Sequence, residues 1–588
     1  MRAYTAGDTD VPLLNETIGH QFERVAAQFP FHDALIEAAA VPGADARRWS
    51  YAKMNDDVDR LARALLALGI AKGDRVGIWS PNCAEWTLLQ YATAKAGAIL
   101  VNVNPAYRSH ELEFVVRQNG MRLLVTAPSD PNSDYVAMAR QALAGSDELE
   151  MLVFLPSPTG LGPDGIDSDD EDSDDPAAEG VGHQADEHHG EVRRSAAPLS
   201  DAELTYAELL KRADAVGHAE LKARMAELDP HDPINLQYTS GTTGFPKGAT
   251  LTHHNILNNG YAIGELLGYT EHDRVVIPVP FYHCFGMVIG NLNALSHGAA
   301  TIIPGRGFSP AAALEAVQDF GGTSLYGVPT MFIAELALPD FSSYDLSTLR
   351  TGVMAGSLCP IEVMNRVITE MHMVDVAICY GMTETSPVAT MTRDGDTLTQ
   401  RTESVGRTMP QLESQIVSPA TGEVLERGEI GELCTRGYSV MSGYWGQPDK
   451  TAEAIDADGW MHTGDLARMD ADGYILIEGR IKDLVIRGGE NVYPREIEEF
   501  LYTHPSIQDV QVIGIPDARY GEELMACIIL KPGAAILDAA AVAEFCRGRL
   551  AHFKVPRYVD VRESFPMTVS GKIRKVEMRA EAVERLGL

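Results

Sequence analysis

No apolar stretch of this 588-residue chain reaches the roughly 18–20 uninterrupted residues that a bilayer-spanning helix needs. That absence removes a helical membrane span from the reading and leaves room only for weak peripheral membrane contact. The first residues, MRAYTAGDTDVPLL, lack a basic stretch followed by an apolar one, and their aspartates argue against a transit peptide. Cysteine is scarce: seven residues, an odd number, with no CxxC spacing. Such usage excludes a disulfide framework and a cysteine-rich zinc site, and fits packed thiols in a reducing compartment. The expectation is a cytoplasmic protein. Basic charge is scarce as well, with 48 lysines and arginines against 83 acids and a formal net charge of -35. Nucleic acid is therefore no partner for the surface as a whole, because a phosphate backbone needs clustered cations.

What the chain does have is length for more than one domain and an ordinary apolar content of 45%. Apolar runs at 75–79, 99–103, 123–126, 151–155, 275–279, 301–303 and 324–328 alternate with helix-like segments. Between them lie amphipathic stretches such as 85–96 and 110–118. Continuous apolar strands separated by helices predict parallel sheets covered on both faces, an α/β fold. After about residue 407 the runs shorten and turn pairs appear (Thr421-Gly422, Asp458-Gly459, Asp472-Gly473), the pattern of a β-rich subdomain. A smaller α+β unit follows from 483, with helical patterns at 494–502 and 539–550. Residues 157–200 break the alternation. They are acidic, rich in Gly, Pro and Ser, and almost without large apolar side chains. Such a segment cannot bury enough surface to offset its chain entropy, so it reads as a disordered surface insertion.

The most informative residues are TSGTTGFPKG at 239–248. Hydroxyls (Thr239, Ser240, Thr242, Thr243) mix with turn-permissive glycines (Gly241, Gly244, Gly248) and one lysine, Lys247. Glycine amides, hydroxyls and an ammonium group can all donate hydrogen bonds to phosphate oxygens. The run 234–238 reads as a short strand feeding this loop. A Walker A loop is excluded, because its GK must be followed by Ser or Thr, and here Pro246-Lys247-Gly248 ends the stretch. A polyanionic ligand on so acidic a protein requires cations concentrated locally. Lys247, Arg480, Lys482, Arg487, Lys572, Arg574 and Lys575 lie in or beside the motifs.

The loop resembles the phosphate loop of the adenylate-forming superfamily, which includes acyl-CoA synthetases, luciferases and the adenylation domains of peptide synthetases. The likeness continues in the family's order through PFYHCFG at 280–286, CYGMTETSP at 379–387 and GELCTRGYSVMSGYW at 431–445. Further on come WMHTGD at 460–465, GRIKDLVIRGGENVYP at 479–494, HFKVP at 552–556 and PMTVSGKIRK at 566–575. It covers nearly the whole chain apart from the acidic insertion. The resemblance implies a large N-terminal adenylation domain over 1–481, built of stacked α/β layers plus a β-barrel subdomain, and a small mobile C-terminal α+β domain over 482–588. It also implies ATP-dependent activation of a carboxylic acid to acyl-AMP with release of pyrophosphate, then transfer to coenzyme A. The expected substrates are ATP, coenzyme A and a medium- or long-chain fatty acid, with Mg²⁺ as the metal.

By the same resemblance, Thr239, Ser240, Gly241, Thr242, Thr243, Gly244 and Lys247 hold the terminal phosphates. Thr383 meets the α-phosphate and Glu384 binds Mg²⁺, a hard cation that takes one or two carboxylates besides phosphate oxygens. Tyr380, between Cys379 and Gly381, stacks on adenine. Some relatives carry Asn two positions before that tyrosine; here it is Ile378, so adenine selection leans on backbone near Gly356, Ser357 and Cys379. Asp465 meets the ribose, Arg480 the ribose or phosphate, and Lys482 is the hinge. Lys572 bridges carboxylate and α-phosphate, and Gly488, Gly489 and Glu490 face coenzyme A. The acyl pocket is expected around Phe281, His283, Gly286 and Met287, with Ala355, Gly356, Val405 and Gly406 opposite. Small residues in that set suggest room for an alkyl chain, and no Asp or Lys marks a site for an amino acid's ammonium group. Open alternatives are an aryl or steroid-derived acid, an acyl-AMP ligase serving a carrier protein, and a non-catalytic adenylate sensor. No carrier domain follows Lys575 in this chain, and Lys247, Glu384, Asp465 and Lys572 are all in place. Chain length depends on pocket depth and is not readable.

Overall fold

The computed structural model describes residues 1–39, 44–128, 133–157, 199–239, 246–356, 361–488, 490–567 and 573–588. Among these, two large sheets organise the first part of the chain. The eight-stranded sheet runs in the order Gly443–Tyr444, Lys247–Thr252, Pro233–Thr239, Ile99–Asn102, Arg75–Trp79, Leu123–Thr126, Met151–Phe154, Glu203–Thr205. From Pro233–Thr239 onward its neighbours are parallel, while the first two strands are added antiparallel. A nine-stranded sheet is likewise parallel through Thr351–Ala355, Ser324–Gly327, Arg274–Val276 and Ala300–Ile303. The apolar runs at 75–79 and 123–126 coincide with the strands Arg75–Trp79 and Leu123–Thr126. The run 275–279 does not continue as a strand past Val276, because Pro278 and Pro280 have no N–H to give to the ladder.

The helix Ala84–Ala96 departs from its amphipathic reading, since every residue in it is buried. It is wedged between other helices, and its polar groups find partners inside. Glu85 pairs with Arg47, Gln90 donates to the Met287 carbonyl at 3.2 Å and Tyr91 to the Asn291 carbonyl at 3.0 Å. Lys95, wholly buried, donates to Asn55 at 2.7 Å and pairs with Asp59. Buried polar groups are tolerated only when satisfied in this way.

Beyond residue 407 the β-rich part is a five-stranded antiparallel sheet, ordered Tyr4–Ala6, Leu412–Val417, Gly431–Gly437, Met461–Met469, Ile475–Arg480. The small α+β unit follows. Its long hairpin, Ile507–Asp517 with Gly521–Leu530, alternates apolar side chains to two faces. Val510, Val512, Leu524, Ala526 and Ile528 pack with the helices Pro494–Tyr502 and Ala539–Cys546. Ile513, Ile515, Met525 and Cys527 pack with Lys575–Leu586. The pattern at 494–502 is that first helix; the pattern at 539–550 stops at Cys546, before Gly548 with its positive φ of 70°. The Arg495 guanidinium donates to the Ile477 carbonyl, tying this unit to the antiparallel sheet. Apart from residues 157, 199 and 200, the acidic insertion falls outside the described residues.

Candidate active site

Two of the sequence motifs and the expected acyl-pocket residue Ala355 lie at the C-terminal ends of parallel strands, where open α/β sheets place their ligands. Thr239 ends Pro233–Thr239, Ala355 ends Thr351–Ala355, and Gly381 ends Asp375–Gly381. The expected phosphate loop joins two strands of a hairpin in which Thr239 faces Lys247. Ser240, Gly241, Thr242, Thr243 and Gly244 lie outside the described residues. Lys247 opens the second strand, and its ammonium stands 4.2 Å from the centre of the Tyr444 ring. A cation in that position gains about 0.5–2 kcal/mol from the ring's negative face.

Tyr444 in turn donates its hydroxyl to a carboxylate oxygen of Glu384 at 2.7 Å. Glu384 is buried in the short turn Thr383–Thr385, and its carbonyl accepts the Met441 N–H at 2.9 Å. Burial and then the Glu384 charge push the Tyr444 phenol far up, so it stays a proton donor. Thr383 is linked through Cys284 to the phosphate hairpin: the buried thiol donates to Gln237 at 3.0 Å and also faces Thr383. Lys247, Tyr444, Glu384 and Thr383 therefore form one connected group. No side chain fits at Gly381, where a Cβ would lie 1.8 Å from the Pro387 carbonyl oxygen.

Across the site, Asp465 accepts the Tyr380 hydroxyl at 2.6 Å on one oxygen and faces the Arg480 Nε at 3.1 Å with the other. Burial first, then the Asp465 charge, raise the Tyr380 phenol well above its ordinary value. Arg480 is 57% exposed, so its pairing with Asp465 adds at most about 1 kcal/mol in water. A nucleotide's sugar hydroxyls could replace these donors on the carboxylate.

The AMP-binding enzyme family matches residues 22–445, and the AMP-binding enzyme C-terminal domain matches 496–572. The chain belongs to the AMP-binding enzyme family. It is 45% identical to YngI of Bacillus subtilis (strain 168), a protein provisionally named an acyl-CoA synthetase, over 98% of this chain and 99% of that one. It is 42% identical to the mitochondrial medium-chain acyl-CoA ligase ACSF2 of Rattus norvegicus, over 100% of this chain and 91% of the relative. Among solved structures it resembles ATP-bound MatB of Rhodopseudomonas palustris, with a TM-score of 0.77 at 28% identity over 97% of this chain and 100% of that one. It also resembles the anthranilate CoA ligase AuaEII in complex with anthranoyl-AMP, with a TM-score of 0.80 at 26% identity over 98% of this chain and 99% of that one. These likenesses make the chain an AMP-forming acyl-CoA ligase, an enzyme that consumes ATP and coenzyme A.

In this AMP-binding enzyme the residues expected around the acyl group divide by burial. Phe281 is wholly buried, with its ring 5.5 Å from that of Trp86, and Met287 is buried with its sulfur accepting from Asn102 and Gln237. His283 is half-buried beside Tyr282, and Ala355 is buried at the end of its strand. Gly286 and Met287 lie in a π-helical turn, Phe285–Leu292, of the kind that often marks functional sites. The small residues do not all mean open space. A Cβ at Gly286 would stand 2.4 Å from the Pro280 carbonyl oxygen, and one at Gly406 2.0 Å from the Met391 carbonyl carbon. Those two glycines exist because backbones meet there, which corrects the inference that their smallness makes room for an alkyl chain. Val405 donates its N–H to Ile475 at 2.8 Å and accepts from Thr390 at 2.7 Å. Gly356 is different: its φ is 94° and its nearest neighbour would be Val328 at 3.1 Å.

Lys482 is exposed in the turn Ile481–Asp483 between Arg480 and the small unit. Gly488 donates its N–H to Tyr520 at 2.8 Å with φ at 63°, and Glu490 is exposed on the strand Glu490–Val492. Ser357, Gly489 and Lys572 lie outside the described residues. The stretch GELCTRGYSVMSGYW at 431–445 holds functional residues to which the sequence alone assigns no role. Tyr444 and Glu432 come from it. Their place in a shared motif was the available signal, but only the folded chain shows what they touch.

Among the described residues, no helix is long and apolar enough to cross a membrane. Six described cysteines, Cys83, Cys284, Cys379, Cys434, Cys527 and Cys546, are free and buried. Cys434 lies with Glu432 and His462 in a cluster whose ligand atoms are all within 4.8 Å of one another.

Proposed function

We propose that the chain is a fatty-acid–CoA ligase acting on medium-chain acids, with its nucleotide held between the Lys247–Tyr444–Glu384 group and Asp465. The convergence of these groups at the ends of the strands carries the reading. In it, Thr239, Ser240, Gly241, Thr242, Thr243, Gly244 and Lys247 grip the terminal phosphates, and Thr383 contacts the α-phosphate. Tyr380 lies along adenine, with Cys379 and Gly356 at its edges. Asp465 takes the ribose, and Arg480 the ribose or a phosphate. Glu384 suits Mg²⁺, because a buried carboxylate with one oxygen anchored by Tyr444 is a preset donor for a hard cation. When bound, the ion supplies charge neutralisation to the phosphates. The acid's carboxylate attacks the α-phosphorus, pyrophosphate leaves, and the thiol of coenzyme A then displaces AMP from the acyl-adenylate. Reduced, buried cysteines favour a cytoplasmic setting.

Medium chain length is favoured by likeness to enzymes named for it. CoA-dependent AMP release measured across straight-chain acids from four to eighteen carbons, with benzoate and a bile acid alongside, tests it. A maximum between six and twelve carbons is expected. A maximum at an aryl or steroid acid would displace the fatty-acid reading.

The large and small parts, 1–481 and 482–588, are proposed to take two relative poses about Lys482. Lys482→Pro fixes φ at that turn and is expected to spare acyl-AMP formation while lowering thioester formation about tenfold or more. Single-turnover measurement of each half-reaction checks this. Equal losses in both would mean Lys482 is no selective pivot.

A further inference from the structure

The Thr463-Gly464-Asp465 turn is an outsized bulge in an antiparallel ladder. Met461–Met469 pairs with Gly431–Gly437 so that His462 faces Cys434 and Leu466 faces Glu432. Residues 463, 464 and 465 thus stand opposite the single residue Leu433. A bulge disrupts the ladder, bends its strand and re-aims a side chain, and bulges gather next to active sites. Here the re-aimed side chain is Asp465.

The backbone groups freed by the bulge are taken up by two side chains. Glu432, 12% exposed, accepts the Gly464 N–H at 3.0 Å on one oxygen and the His462 Nδ1 at 2.9 Å on the other. Because an ionised carboxylate only accepts, that ring nitrogen carries the proton. Thr463 donates its hydroxyl to the Leu433 carbonyl at 2.7 Å and accepts the Asp465 N–H at 3.1 Å. Gly464 has φ at 72°, a left-handed conformation that glycine adopts without strain. Cys434 lies 3.5 Å from the same His462 nitrogen. Both oxygens of Glu432 already have donors, so this cluster is arranged to hold the bulge and not to await an ion.

We propose that Glu432 is a positioning residue for nucleotide selection: it locks the bulge so that Asp465 presents its carboxylate to the ribose hydroxyls. The proposal rests on the reading of Asp465 as the ribose ligand. It makes the enzyme's preference for ATP over a nucleotide lacking both hydroxyls depend on a side chain that never touches the sugar.

The test is pyrophosphate release with ATP and with 2′,3′-dideoxy-ATP, compared as kcat/KM for the full chain and its variants. The unmodified enzyme is expected to prefer ATP by about 100-fold, the scale of two hydrogen bonds to a charged acceptor. Asp465→Ala should remove most of that preference. Glu432→Ala should reduce it to about tenfold or less, with the loss falling on ATP. Glu432→Gln keeps an acceptor for the Gly464 N–H and should retain most of the preference. Equal losses on both nucleotides in Glu432→Ala would overturn the proposal, since a merely structural role moves both together. If that variant does not fold, Thr463→Val loosens the same bulge, and an undiminished preference there overturns the proposal too. An undiminished preference in Asp465→Ala refutes the ribose reading itself, and the proposal with it. Loss in Asp465→Ala alone refutes only the role of Glu432.

Discussion

Lys572→Ala is expected to cut pyrophosphate release from ATP plus fatty acid by about two to three orders of magnitude, the cost of losing about 3–4 kcal/mol of charge stabilisation at the reacting phosphorus. The same variant, supplied with ready-made acyl-AMP, should acylate coenzyme A at close to the normal rate. The asymmetry follows from where charge accumulates. Joining a carboxylate to an α-phosphate brings two anions together, and an ammonium between them lowers that barrier, whereas thioester formation from the adenylate has no such pair. Residues on either side of the motif are well anchored. Met567 and Ile573 pair across it, Arg574 donates its N–H to the Pro566 carbonyl at 2.8 Å, and Lys575 binds Glu498 at 2.6 Å. Loss of the side chain alone should therefore leave the fold intact. Misfolding would remove both half-reactions together, and the two-substrate comparison separates the cases. If Lys572→Ala forms acyl-AMP at the normal speed, Lys572 does not bridge the reacting anions.

Glu384→Gln is expected to lower adenylate formation by about 100-fold or more and to raise the Mg²⁺ concentration needed for half-maximal rate. Gln is isosteric and its amide oxygen can still accept from the Tyr444 hydroxyl, so the change removes charge with little change of shape. Tyr444→Phe should act in the same direction but more weakly, about tenfold, because it frees the carboxylate without discharging it. Titrating Mg²⁺ at saturating ATP reads both. A Glu384→Gln enzyme with normal Mg²⁺ dependence would show that the ion is held elsewhere. Thioester formation from supplied acyl-AMP should again survive, since no phosphate charge then needs neutralising at that step.

The sequence was a good guide wherever a property is local. Apolar runs such as 75–79 and 123–126, and the helical pattern at 494–502, became elements with the same bounds because side-chain periodicity is written residue by residue. Where the run 275–279 overreached, the prolines that stop it were also visible in the chain. The motifs, in their order, already point to an adenylate-forming ligase.

Other features had no local signature. The three-residue strand Tyr4–Ala6 is too short to be read alone and exists because it completes a sheet with Leu412–Val417. The helix Ala84–Ala96 carries polar residues that periodicity assigns to solvent, yet their partners lie on distant segments, so they are buried. Gly286 and Gly406 suggested an open pocket, and the fold instead brings other backbones against them.

By itself, then, the sequence determined the α/β alternation, the antiparallel region after it, the family and the chemistry of activating an acid with ATP. Tertiary structure alone decided which groups meet. Tyr444 reaches Glu384 across 60 residues and Tyr380 reaches Asp465 across 85. Glu432 holds Gly464 from the neighbouring strand. The physical reason is that a hydrogen bond acts over about 3 Å of space, and separation along the chain places no bound on which donors and acceptors folding brings that close.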